Sequence, residues 1–198
     1  MKFSSALNMG WDHIVDFSAY DHILFIVVLC ALYSYFEWRK LITIITAFTI
    51  GHSISLLLSA LDIFVLSSKL VEVLIPATII FTAISNILIQ SDEVSTRVFS
   101  KKGIKNYCIA LCFGLIHGMG FANNFKFLLG NSDGIVMHLF AFNFGIELGQ
   151  LMIVLCLFVI YYFFIKYCKI KQREWVLFVS GAGFGVGLIL CLTNLLNF

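Results

Sequence analysis

The chain has 198 residues, of which 61% are hydrophobic and 12% charged, against about 25% charged in a soluble domain. Its mean hydropathy is +0.99, which excludes an ordinary soluble enzyme and points to an all-α, polytopic membrane protein whose first partner is the lipid bilayer. A net charge of +2 without a basic tail gives no reason to expect nucleic acid as a partner.

Residues 1–18 hold no span. Phe3, Leu7, Trp11, Ile14 and Phe17 approximate one helical face, against Lys2, Ser5, Asp12 and Asp16, so a short interfacial helix is expected. Met1 to Gly10 has one lysine and no long apolar core, so no cleavable signal peptide is expected. A span needs about 20 mostly apolar residues. Six stretches qualify, at about 20–36, 41–61, 70–89, 107–121, 136–165 and 175–196. Together they predict a six-transmembrane-helix bundle forming a single domain over 1–198. Pro76 is expected in the first turn or two of the third span, where a missing N–H is best tolerated.

Basic residues set the orientation. Arg39 and Lys40, then Arg97, Lys101, Lys102 and Lys105, then Lys166, Lys169, Lys171 and Arg173 fall on one side, against Lys2, Lys69 and Lys126 on the other. The positive-inside rule then puts both termini outside the cytoplasm. The expected location is a bacterial inner (cytoplasmic) membrane. Gly114 with Gly118, Gly145 with Gly149, and Gly181, Gly183, Gly185 and Gly187 in the last span predict close helix packing. The six cysteines contain no CxxC pair and read as small apolar fillers, although Cys108 and Cys112 are one turn apart.

The polar residues within the spans carry the chemistry, because titratable groups in hydrocarbon are expensive. His22 is expected at the outer mouth of the first span, and His52 and His117 in the outer halves of the second and fourth. Glu147 is expected near the midplane of the fifth, and Glu72 at the outer end of the third. Asn143, Glu147 and Gln150 share a helical face, as do Thr49, His52 and Ser53. His138 reads as interfacial. Asp12-His13 and Asp21-His22 recur nine residues apart, as an acidic and imidazole funnel would. Singly, each histidine is as well explained by a hydrogen-bonded core position. As a set, imidazole and carboxylate without thiolate suit Ni²⁺, Co²⁺ or Zn²⁺ more than Cu⁺.

Several motifs resemble the HupE/UreJ family of membrane proteins. They are Gly10-x-x-His13, Tyr20-Asp21-His22-Ile23-Leu24-Phe25, Phe48-Thr49-Ile50-Gly51-His52-Ser53, Val71-Glu72 with Asn86, Phe113-Gly114-Leu115-Ile116-His117-Gly118-x-Gly120-Phe121-Ala122, and Phe142-Asn143-x-Gly145-x-Glu147-x-Gly149-Gln150. The second, shorter branch of that family is the closer likeness. One departure is that Ile14 follows Asp12-His13, where the first branch has a His-Pro pair before its Asp-His. Ala19 stands where many members have glycine.

The resemblance implies nickel or cobalt uptake linked to hydrogenase or urease maturation. Ni²⁺ or Co²⁺ would be cargo, with Zn²⁺ as the alternative ion and no permanent cofactor. The expected metal residues are His13, Asp21, His22, His52, His117, Asn143 and Glu147. Thr49, Ser53, Glu72, Asn86, Gly118 and Gln150 are expected to support them. No GxxxxGK[ST] is present, so transport would be secondary, channel-like, or dependent on a second copy of the chain or a separate partner. No catalytic residue is expected. The other readings are an intramembrane Zn²⁺-dependent hydrolase, since a His/carboxylate pocket with an open position also suits catalytic zinc, and a membrane scaffold with structural polar contacts.

Overall fold

The computed structural model describes residues 2–17, 20–89, 101–129 and 135–196. Among these residues the chain is made of helices joined by short connections, as α1 (Phe3–Val15), α2 (Tyr20–Cys30), α3 (Trp38–Ala60), α4 (Ser68–Leu88), α5 (Lys101–Leu129), α6 (Ile135–Tyr167) and α7 (Gln172–Leu196). A 3-10 turn, Tyr35–Glu37, leads into α3. The helices α3 to α7 are each long and apolar enough to cross a membrane. The pair α1 and α2 passes the same test only together, bent by 69°. Taken as one broken span, they complete the expected six.

The break follows from length. Thirteen residues of α1 and eleven of α2 rise about 20 Å and about 16 Å, so neither alone crosses roughly 30 Å of hydrocarbon. The side of α1 turned onto α6 carries the buried Ala6, Gly10 and Ile14; of the face read as interfacial, Ile14 is buried while Phe3 and Phe17 stay exposed. A Cβ on Gly10 would overlap the Phe142 carbonyl, and one on Gly145 would overlap the Leu7 carbonyl. Further on, Gly149 meets Ile14 and Val15. The contacts advance together along both chains, so α1 runs parallel to α6. Span one, expected over 20–36, ends as a helix at Cys30.

A second seam joins α3 to α5, also parallel. A side chain on Gly51 would overlap the Leu111 carbonyl, and one on Gly114 the Phe48 carbonyl. Gly118 lies against the His52 carbonyl and Ser55 Oγ. In the third pair, α4 and α7 are antiparallel. Asn86 Nδ2 donates to Ser180 Oγ at 3.3 Å and Asn194 Nδ2 to the Glu72 carbonyl at 2.6 Å. In α7 only Gly183 and Gly187 pack, on Val28 and on Ile79 and Ile80; Gly181 and Gly185 face open space.

Pro76 is the ninth residue of α4, deeper than the sequence suggested. A proline there cannot bond the carbonyl four residues earlier, which is that of Glu72. The Asn194 amide supplies the missing donor. At the other end of α4, Arg173 donates to the Asn86, Ile87 and Ile89 carbonyls at 3.3, 2.6 and 2.8 Å. That end of the bundle, with Arg39, Lys40 and the α6–α7 turn, is the basic face. Arg97 of the second basic loop lies outside the described residues.

Candidate metal centre

The break in the first span brings His13, in the last turn of α1, beside His22, in the first turn of α2. The ring centroids are 4.7 Å apart. The α3–α5 seam delivers His52 and His117 to the same place. His52 lies 5.8 Å from His13 and 6.0 Å from His22, and His117 lies 5.1 Å from His22. Gly118 makes this approach available, since any side chain there would push the His52 backbone away. Two imidazoles sharing an ion at about 2.0–2.1 Å would stand roughly 4.5–5.3 Å apart at their centroids, from octahedral to tetrahedral angles. Two of the four pairs fall in that window and the His52 pairs lie just beyond it. Among the described residues, no three His, Cys, Asp or Glu groups are already closed to ion-holding geometry.

The ring nitrogens supply the sharper argument. His22 Nδ1 lies 3.0 Å from Asp21 Oδ1. A carboxylate only accepts, so Nδ1 carries the proton and Nε2 keeps its lone pair. His117 Nε2 lies 2.9 Å from Thr78 Oγ1, whose own proton goes to the Ile75 carbonyl at 2.7 Å. Nε2 must therefore donate, which leaves the lone pair on Nδ1. Both free nitrogens, His22 Nε2 and His117 Nδ1, are buried without a protein partner, as are His13 Nε2 and both nitrogens of His52. Leaving such atoms buried and unpaired is costly. Orienting one ring nitrogen so that the other is free is what metal-binding histidines require. The donor set therefore fits a borderline divalent cation.

Above the rings lies a cavity of about 520 Å³, lined by Met9, Asp12, His13, Asp16, Asp21, His22, Ser68, Val71, Glu72, Ile75, Gly120 and Phe121. Its four carboxylates make an anionic approach to the imidazoles. Below the rings the packing is aromatic. Phe25 and Phe48 stack at 4.9 Å and lie 4.9 and 5.2 Å from His117. Phe25 also meets Phe113 at 5.9 Å.

The structure thus brings together His13, Asp21, His22, His52 and His117, with Glu72 at the cavity wall. Gly118 packs on the His52 carbonyl, and several of the other expected residues are engaged with partners outside the rings. Glu147 accepts from Thr46 Oγ1 at 2.7 Å, and Gln150 Oε1 accepts from Thr49 Oγ1 at 2.9 Å. These bonds tie α6 to α3 on the basic side of His52. Asn143, one turn from Glu147, has a buried Oδ1 without a partner. Ser53 Oγ is turned back on the Thr49 carbonyl at 2.7 Å. Asn86 Nδ2 donates to the Val28 carbonyl at 2.7 Å, near the basic face. His138, read as interfacial, is buried at 7% exposure. Sequence reasoning missed Asp16 as a cavity residue and Thr78 altogether, and it named Phe25 and Phe48 only as motif residues without a role. A lone threonine in an apolar helix carries no periodic signal, and phenylalanine is the common filler here.

Fold and site together define an integral membrane protein, a helical bundle whose first span breaks at a buried histidine cluster under an acidic mouth. The sequence profile described as HupE / UreJ protein matches residues 1–194, and the chain belongs to that family. No curated protein and no solved structure matches it.

Proposed function

We propose that this protein carries a divalent transition-metal ion, of the nickel or cobalt type, across the membrane. His22 Nε2 and His117 Nδ1 would bind the ion, with His13 and His52 completing the shell. The observation that carries the reading is the pair of fixed tautomers. Asp21 and Thr78 each hold one ring nitrogen as a donor and leave the other buried with a free lone pair. Asp12, Asp16 and Glu72 would gather the ion in the cavity above.

The positive-inside bias puts the basic face in the cytoplasm, so the acidic mouth opens outward and transport is uptake. The family membership supports the same class of cargo, and a bacterial inner membrane is the location we propose. No permanent cofactor is needed, because the ion is the cargo.

The test is uptake into proteoliposomes across Ni²⁺, Co²⁺, Zn²⁺ and Mn²⁺. Uptake of Ni²⁺ or Co²⁺ that is lost in His22→Ala and His117→Ala is the expected result. The second reading, a zinc hydrolase, draws on the open acidic mouth and the aromatic floor beneath the rings. Stoichiometric, non-exchanging Zn²⁺ in purified protein, with no flux of any ion, would replace the transporter with that enzyme.

A further inference from the structure

The two glycine seams are the same structure used twice. Adding 104 to the α1 numbers gives α5, and adding 94 to the α3 numbers gives α6. Gly10 meets the Phe142 carbonyl and the Ile146 amide; its counterpart Gly114 meets the Phe48 carbonyl and the His52 amide. Gly145 meets the Leu7 carbonyl and the Trp11 amide; Gly51 meets Leu111 and Leu115. Gly149 against Ile14 repeats as Ser55 against Gly118.

The sequences follow the same register. Gly10-x-x-His13 matches Gly114-x-x-His117, and Phe48-Thr49-x-Gly51 matches Phe142-Asn143-x-Gly145. Ala6 and Ala110 are buried at 0% and 1%. Because α1 and α6 cross one way and α3 and α5 the other, the copies are inverted. In inverted repeats the binding site lies at the interface of the two halves, and one half rocks against the other. His13 and His117 are counterparts, and both belong to the imidazole cluster.

The copies differ in one respect. After Val15 the first copy leaves the helix, with Asp16 extended at φ −64° and ψ 115°, and the acidic cavity opens there. In the second copy α5 runs unbroken through the equivalent position, Gly120. A smaller cavity of about 70 Å³ lies toward the basic face, between α2, α3, α4 and α5, with Tyr33, Thr82, Asn86 and Asn106 in its wall. Met9 lines the acidic cavity and its counterpart Phe113 lines the inner one. Phe113 contacts Phe25 and Phe81 at 5.9 and 5.7 Å, between that cavity and the rings.

We infer that the ion leaves through the inner cavity between α2, α4 and α5, which opens when α5 bends at Gly120 as the first span bends here at Asp16. The segment of α5 before Gly120 would then swing as α1 has swung, carrying Phe113 off Phe25. Glycine suits such a hinge because it weakens a straight helix by about 1 kcal/mol against alanine. The inference rests on the transport reading.

The test uses Gly120→Ala and Phe113→Ala in the full chain. A Cβ at Gly120 would stand 3.1 Å from Ile75 Cδ1, the tip of a flexible side chain, so the straight form accepts it. Binding of Ni²⁺ or Co²⁺ to purified protein should be unchanged in Gly120→Ala, while uptake slows about fivefold. Thr82→Cys, with the six native cysteines replaced, should react with an impermeant maleimide from the cytoplasmic side. That labelling should rise with ion outside, fail to rise in Gly120→Ala, and be high without ion in Phe113→Ala. Wild-type uptake in Gly120→Ala, or labelling unchanged in Phe113→Ala, would overturn the inference and leave the transport reading standing. A wild-type protein that binds no ion would overturn both.

Discussion

Glu147 accepts a hydrogen bond from Thr46 at 2.7 Å, six residues, or about 9 Å of helix, from His52 on α3. The carboxylate therefore belongs to the α3–α6 contact. Glu147→Gln keeps the shape and a hydrogen-bonding oxygen. Its Kd for Ni²⁺ or Co²⁺ should stay within about threefold of wild type, whereas His117→Ala should lose binding by more than 10²-fold. Isothermal titration of both variants checks this, and equal losses would put Glu147 in the ion's own shell.

The partners of the rings should matter nearly as much as the rings. Thr78→Val removes the acceptor that holds His117 Nε2, and Asp21→Asn weakens the hold on His22 Nδ1. Each should cost about 10–100-fold in affinity, the usual effect of such orienting groups, with the helical circular dichroism unchanged.

Binding should also depend on pH in one direction. A protonated imidazole has no lone pair to give, so the neutral forms of His13, His22, His52 and His117 bind and proton uptake competes. Affinity should fall, never rise, as the pH is lowered. Binding isotherms over a descending pH series measure it; affinity that rises as the pH falls would exclude neutral imidazole as the ligand.

The seams make a stability prediction. A side chain at Gly114 has no room beside the Phe48 carbonyl, whereas Gly181 has nothing within 4 Å. Gly114→Val should lower stability by about 1–3 kcal/mol or more, and Gly181→Val by no more than about 0.5 kcal/mol. Thermal unfolding in one detergent compares them directly.

Much of this was legible in the chain. The apolar stretches gave α3 to α7, because hydrocarbon leaves the backbone few choices beyond a helix. The polar residues His22, His52 and His117 were found as candidates because titratable side chains are costly in such surroundings. Depth was harder to read. Helical spacing put Glu147 on the right face, but spacing cannot say how two helices slide past each other, and the slide sets Glu147 on Thr46. The interfacial reading of residues 1–18 caught the amphipathic face of α1, not its partner. Gly10 of that helix is its contact with α6. The repeat was hidden because its copies share few residues, chiefly Gly-x-x-His and Phe-x-x-Gly, which backbone contact preserves while most others differ.

The step from a cavity of about 520 Å³ to rings packed at 4.7–6.0 Å is a dehydration step. An ion can enter the mouth with its water shell and must exchange most of it for nitrogen before it reaches Phe25 and Phe48. Magnesium sheds water reluctantly and prefers oxygen, so the commonest divalent ion in a cell should collect among the carboxylates and go no further. Millimolar Mg²⁺ should therefore slow capture of a trace metal by screening the mouth, without occupying the imidazoles or lowering the maximal rate.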